Sequence, residues 1–283
     1  MTSGWLLLII PGLIWGASFL FIAEGLRSIG PAGVAFVRIC IGFATLAVFP
    51  SARKPVSRTD WGSVAWLGLL WFAFPLCMFP LAEQRVSSAL TGMLNGANPL
   101  FATLVASYIA RRAPSRGVVL GLAIGLAGTV LMALPATSEG RSSAMGIAMI
   151  LAALVSYGFA LSIARSLQQQ YGAVPVIWRA QGVALALTAP LGIPDLISAH
   201  WLLVPMLSLF ALGAFGTAIA NVLMASAAGR FGAARASSTT FLIPVVALVL
   251  GLVVRREQVA PASVVGGLVC LVGAGVMKRA SSH

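Results

Sequence analysis

Two short polar runs, each ending at a proline inside an apolar stretch, hold the side chains best placed to bind a small molecule. Asn95 and Asn98 stand three residues apart before Pro99, and Ser237, Ser238, Thr239 and Thr240 precede Pro244. On a helix, positions three apart share a face. Proline has no N–H to give the carbonyl four residues back, so a helix kinks there and leaves a polar backbone group open. Pro99 would do this to Asn95 and Pro244 to Thr240, which makes the two prolines hinges. Freed carbonyls beside amides and hydroxyls can coordinate an amino or hydroxyl group, so Asn95, Asn98, Ser237 and Thr240 are candidates for substrate binding. The alternative role for these side chains is to join helices, worth about 0.6–2 kcal/mol each in lipid.

Apolar surface is the second ingredient of such a site. Trp15 and Tyr157 lie well inside their stretches; Trp71, Phe74, Met78 and Phe79 cluster in a third, with Asn221 and Met224 in its counterpart later in the chain. A mostly apolar pocket with a few polar groups suits a small amphipathic metabolite, which adds Trp15, Phe74, Met78, Tyr157 and Asn221 to the candidates. Arg38 and Arg179 are the basic residues well inside apolar stretches. An unpaired arginine at the bilayer centre costs at least about 2.5 kcal/mol, so each must face protein or water. Two roles are open to them: holding a substrate carboxylate, or pairing with helix-end carbonyls or Glu24. Glu24 and Glu83 fall at the ends of stretches and read as solvated charges, with carriage of a coupling proton as the other role. Asp60, Glu139 and Asp195 fall in connections.

No catalytic centre is legible. The two histidines are His200, at the start of a stretch, and the C-terminal His283; no His/Asp/Glu cluster has metal-ligand spacing, and no glycine-rich loop follows a strand to cradle phosphate. The reading is therefore no enzyme, no metal, no cofactor and no ATP drive. Cys40, Cys77 and Cys270 lie within apolar stretches and read as small hydrophobes.

The elements that must position these residues follow from composition. Of 283 residues, 59% are apolar and 8% charged, against roughly 25% charged in soluble domains. Such a chain cannot cover a water-facing surface, so it is an all-α integral membrane protein. A helix needs about 20 apolar residues to cross a hydrocarbon core of roughly 30 Å. Ten stretches qualify, near 5–24, 33–50, 62–82, 87–110, 117–135, 145–168, 174–194, 202–226, 236–254 and 261–278. The alternating segments of about 10 residues that mark a transmembrane β-barrel are absent. No Lys or Arg precedes Trp5, so the first stretch does not read as a cleavable signal. Trp5, Trp61, Trp66 and Trp201 fall near stretch ends, as interfacial residues do. With the N-terminus in the cytoplasm, eleven Lys/Arg fall on the cytoplasmic side and five on the other, so both termini are placed inside. The +12 charge is spread over many loops rather than one stripe, which fits anionic lipid headgroups and excludes a nucleic-acid partner.

The chain also repeats itself. Under a shift of 145 residues, Leu67-Gly68 meets Leu212-Gly213, Arg85 meets Arg230, Pro99 meets Pro244, Arg111 meets Arg256, Gly121 meets Gly266, Gly128 meets Gly273 and Met132 meets Met277. Earlier in each half the register slips: Trp15-Gly16 faces Tyr157-Gly158, and Arg38 faces Arg179. Residues 1–140 and 141–283 each carry five stretches. Five is odd, so the second repeat is inverted in the bilayer, the design of carriers that alternate access around a central site.

This arrangement resembles the EamA-type, ten-helix branch of the drug/metabolite transporter superfamily. The resemblance rests on WGASF at Trp15–Phe19, AFVRIC around Arg38, and two tracts that open at Pro99 and Pro244 and continue into GLAIGLAGTVLM and GGLVCLVGAGVM. It implies a secondary carrier with the third, fourth, eighth and ninth helices around a cavity and export as the usual direction; short loops and economy of length point to a bacterial inner membrane, where a monomer is expected. It further implies amino acids as substrates, and the aromatic and Met content favours bulky apolar ones. Efflux of drugs or other metabolites by the same fold is the alternative, and a non-transporting scaffold a remoter one. The acid expected after the proline helix is present as Glu257, while Arg112 stands at the first-half position.

Overall fold

The computed structural model describes residues 2–138, 144–231 and 237–281. Among them, α1 (Thr2–Gly25) and α2 (Pro31–Ala47) lead into α3 (Arg58–Glu83). Two short helices follow, α4 (Ser88–Asn95) and α5 (Asn98–Ala110), and then α6 (Arg116–Ser138). The second half runs through α7 (Ala144–Tyr171), α8 (Ala173–Ile197) and α9 (Leu203–Ala227). A 3-10 turn (Ser237–Phe241) opens α10 (Leu242–Val253), and α11 (Pro261–Ser281) closes the bundle. Among the described residues, seven helices are long and apolar enough to cross a membrane; Pro31–Ala47, Asn98–Ala110 and Thr239–Val253 are shorter apolar helices. This is a multi-pass membrane fold.

Glycines set the tightest contact, between α6 and α11. A Cβ on Gly121 would stand 2.5 Å from the Met277 nitrogen, and one on Gly266 the same distance from the Met132 nitrogen. One on Gly128 would meet the Cys270 nitrogen at 2.4 Å, and one on Gly273 the Gly125 nitrogen at 2.3 Å. Each contact turns into the other of its pair when 145 is added to the α6 residue and subtracted from the α11 residue. Residue numbers rise along one helix as they fall along the other, so the two run antiparallel. Small residues let helix backbones touch in this way, and in lipid that packing replaces the hydrophobic drive.

Helix ends are capped across the bundle. Asp195, near the end of α8, accepts the Gly33 N–H at 2.8 Å through Oδ2, which places a carboxylate at the positive N-terminus of α2. Asp195 thus belongs to a helix and not to a connection. Glu257 accepts Ser88 N–H at 3.1 Å, Ser88 Oγ–H at 2.7 Å and Ala89 N–H at 2.8 Å, and so caps α4. Arg111 and Arg256, 145 residues apart, are the non-glycine residues with positive φ among those described, at 49° and 53°. Trp61, Trp66 and Trp201 are exposed near helix ends, while the side chain of Trp5 lies outside the described residues.

Candidate functional site

Two interruptions of regular helix shape the centre. The stretch read as one helix over 87–110 is broken between α4 and α5: Gly96 N–H bonds to the Met93 carbonyl and Ala97 N–H to that of Leu94, both at 3.0 Å. These i→i+3 turns begin before Pro99, so the break falls over Asn95–Asn98 and not at the proline alone. In the second half the 3-10 turn before Leu242 has the corresponding place. The first break packs against the first turn of α10, just past the 3-10 turn, since a Cβ on Gly96 would lie 3.0 Å from Cγ of Pro244.

The second interruption is a pair of π-helical segments, Gly68–Ala73 in α3 and Leu212–Ile219 in α9. They occupy matching positions under the 145-residue shift. A π segment widens the turn, leaves carbonyls without their usual partner and occurs often at functional sites. Side chains from the other half take up those carbonyls: Trp15 Nε1–H donates to Gly216 O at 3.0 Å, and Ser156 Oγ–H to Leu70 O at 2.8 Å.

Thr217 is the hub of the α9 segment. Its hydroxyl donates to Leu212 O at 3.1 Å and accepts from Arg38 Nε at 3.1 Å. Its carbonyl accepts from Gln181 Nε2 at 2.8 Å and from Asn221 Nδ2 at 3.0 Å. Arg38 is 5% exposed, with Tyr157 and Glu83 within electrostatic reach. Phe79 lies one helical turn before Glu83. Its ring centroid is 5.6 Å from Phe19, edge-on, and 6.1 Å from Tyr157. Aromatic groups from α1, α3 and α7 therefore form one cluster, and Tyr157 brings it within electrostatic reach of Arg38.

Several sequence-level candidates meet here and others do not. Trp15, Tyr157, Arg38 and Asn221 join this centre, although Trp15 and Asn221 spend hydrogen bonds on α9 carbonyls. Asn95 is buried at the break, and Asn98 Oδ1 is buried there without a hydrogen-bond partner. Phe74 and Met78 are half-buried on the same helical half of α3 as Phe79. Thr240 is half-buried in the 3-10 turn, and the side chain of Ser237 lies outside the described residues.

Arg179 is placed elsewhere. Its Nη1 donates to Ala52 O at 3.0 Å and Pro175 O at 3.1 Å, and its guanidinium covers the Trp178 ring. The expected pairing of Arg38 with Arg179 is one residue out of register. A Cβ on Gly68 would meet Ala180 O and Val183, whereas one on its counterpart Gly213 would meet Arg38 O and Ile41. Arg38 therefore matches Ala180, and one residue turns a helix position by about 100°.

Glu83 also departs from expectation. In place of a solvated helix-end charge, both its carboxylate oxygens are buried without a hydrogen-bond partner. Thr217, Gln181, Phe19 and the π segments carried no distinct sequence signal beyond the Leu-Gly pairs that begin each segment in the repeat. Glu24 instead bonds Arg27 at 2.7 Å and Arg255 at 2.6 Å, and Arg255 bonds Glu257 at 3.1 Å.

Comparisons agree with this architecture. A family model described as the EamA-like transporter family matches twice, over residues 2–134 and 144–278. An uncharacterized transporter of Archaeoglobus fulgidus is 23% identical over 276 residues, covering 97% of this chain and 98% of its own. The uncharacterized transporter YdfC of Bacillus subtilis is 27% identical, covering 92% and 86%. A probable terminal-alkyne amino-acid exporter of Streptantibioticus cattleyicolor is 24% identical, covering 96% and 92%. A solved crystal structure with 21% identity superposes at a TM-score of 0.64 over 98% of this chain and 96% of that one, which speaks for the fold alone. The family and these relatives are transporters, not enzymes, and the chain belongs to the EamA-like transporter family.

Proposed function

We propose that the protein is a secondary carrier of ten membrane-crossing helices in two inverted five-helix repeats, which exports amino acids, above all aromatic or large apolar ones, by alternating access. In this reading α4 and α5 together form one broken crossing, and α2 and α10 cross despite their length. The observation that carries it is the packing of the α4–α5 break against the first turn of α10, which follows the 3-10 turn, Gly96 against Pro244. Discontinuous helices at the interface of inverted halves build binding sites in carriers, because broken backbone is tolerated at membrane depth only where protein or a cavity receives it. The reciprocal contacts of α6 and α11 support the inversion, and so does the double match of the family model.

Substrate class rests on the walls of the site. Asn95, Asn98 and Thr240 offer polar groups at the breaks, and Phe19, Phe79 and Tyr157 offer an apolar face. The relative named as a probable amino-acid exporter supports the same class at 24% identity. In this reading both termini lie in the cytoplasm of a bacterial inner membrane, which the excess of Lys and Arg in the loops on that side supports, and the carrier acts as a monomer with a proton as the candidate coupling ion.

The test needs no known substrate. Met78→Cys and Met224→Cys, each in a background lacking native cysteines, are treated with a membrane-impermeant thiol reagent from either side of sealed vesicles. Alternating access predicts modification from both sides. Access from one side only for both positions contradicts it.

A further inference from the structure

We propose that Glu83 and Arg38 hold the two charged ends of a zwitterionic α-amino acid, Glu83 taking the ammonium and Arg38 the carboxylate. The assignment rests on the carrier reading and deepens it, because it fixes the head group that the site selects. It begins from a carboxyl group without a partner. Both Glu83 oxygens are buried with no hydrogen bond, while the ion pairs of the described residues join Glu24, Arg27, Arg255 and Glu257.

The charged groups facing Glu83 are Glu257, Arg255 and Arg38. Two of the three are committed: Glu257 caps α4, and Arg255 bonds both Glu24 and Glu257. Arg38 is committed only through Nε, to the Thr217 hydroxyl. Its two Nη groups hold no bond to a described residue, and they form the end of the guanidinium fork suited to a carboxylate.

Glu83 and Arg38 stand close enough to feel each other's field yet do not form an ion pair. A carboxyl group and a guanidinium out of water and out of contact are costly to hold as ions until a ligand completes them. A lone cation would serve Glu83 and leave Arg38 open, and a lone anion would do the reverse. A zwitterion serves both. Its side chain then meets Phe79, one turn along α3 from Glu83, with Phe19 and Tyr157 behind it.

The experiment compares three probes on purified protein: L-phenylalanine, phenethylamine (no carboxylate) and 3-phenylpropanoate (no ammonium), read by ligand-induced thermal stabilisation. Wild type should bind phenylalanine at least tenfold more tightly than either analogue. Glu83→Gln, which is isosteric, should erase the preference over 3-phenylpropanoate and keep the preference over phenethylamine. Arg38→Met should do the opposite; if that variant does not fold, Glu83→Gln alone decides. Phenethylamine binding wild type as tightly as phenylalanine overturns the proposal in favour of a cation site. Unchanged ratios in Glu83→Gln overturn it, as does the absence of stabilisation by any of the twenty amino acids. Two-sided cysteine access without amino-acid binding would leave the carrier standing and remove the head-group assignment; one-sided access would remove the carrier reading itself.

Discussion

Replacing Gly273 with alanine would set a methyl group 2.3 Å from the backbone nitrogen of Gly125 and 2.7 Å from the carbonyl oxygen of Gly121. Neither atom can rotate away. Bringing these contacts to an ordinary carbon separation of roughly 3.5 Å requires α6 and α11 to part by about 1 Å. A gap of that size forfeits about a quarter to a half of the attraction between facing atoms, and overpacking of this kind costs about 1–3 kcal/mol. The alanine returns about 0.5–1 kcal/mol through helix propensity. The net loss should be about 0–2.5 kcal/mol, and the gap to a glycine whose alanine meets no obstacle about 1–3 kcal/mol. Gly128→Ala, which meets the Cys270 nitrogen at 2.4 Å, should cost about the same. Gly275 has nothing within 4 Å of its would-be Cβ, so Gly275→Ala should be neutral or stabilising. The assay is the thermal unfolding midpoint of each purified variant in one detergent. Gly128→Ala combined with Gly273→Ala should cost less than the two losses added, because the first separation makes room for the second. Equal midpoints for Gly273→Ala and Gly275→Ala, or strict additivity of the pair, would refute the backbone-to-backbone crossing.

Three further outcomes follow from the site. Glu257→Gln weakens three hydrogen bonds to the N-terminus of α4 and the ion pair with Arg255, and should lower stability by about 1.5–3 kcal/mol in the same assay, with Ser88→Ala losing less. Thr217→Val keeps the side-chain shape but removes the acceptor of Arg38 Nε, so transport should fall at least fivefold while folded yield, judged by gel filtration, holds. Asn98→Ala deletes an amide whose buried oxygen has no partner, so it should leave the unfolding midpoint within about 0.5 kcal/mol of wild type and still impair flux if the amide binds substrate.

Hydropathy located the helices well because lipid imposes a length on any crossing: the stretch near 174–194 became Ala173–Ile197, and that near 261–278 became Pro261–Ser281. Pattern alone could not reveal the π segments, since a widened turn needs no change in hydrophobicity; only the coincidence of Gly68 with Gly213 hinted at matched geometry. The polar run before Pro99 did mark a break, but the turn runs over Asn95–Asn98 because Gly96 and Ala97 close i→i+3 bonds ahead of the proline. Asp195 looked like a loop charge and Glu257 was singled out by the family resemblance alone; their capping roles depend on which helix N-termini approach them, a tertiary fact. Arg38 and Arg179 shared a motif-like setting yet diverged, because a one-residue slip turns one toward Thr217 and the other toward Ala52. Glu83 misled for a related reason: its neighbours Gln84 and Arg85 are exposed, while its own carboxylate is buried.

Counterflow in proteoliposomes tests the central claim most directly. Vesicles loaded with unlabelled phenylalanine are diluted into a trace of the labelled amino acid, with no ion gradient and parallel runs for tryptophan, leucine and threonine. An amino-acid carrier predicts transient, saturable accumulation of label that depends on the amino acid inside and is lost in empty vesicles. Label that equilibrates equally in loaded, unloaded and protein-free vesicles for all four amino acids would contradict it.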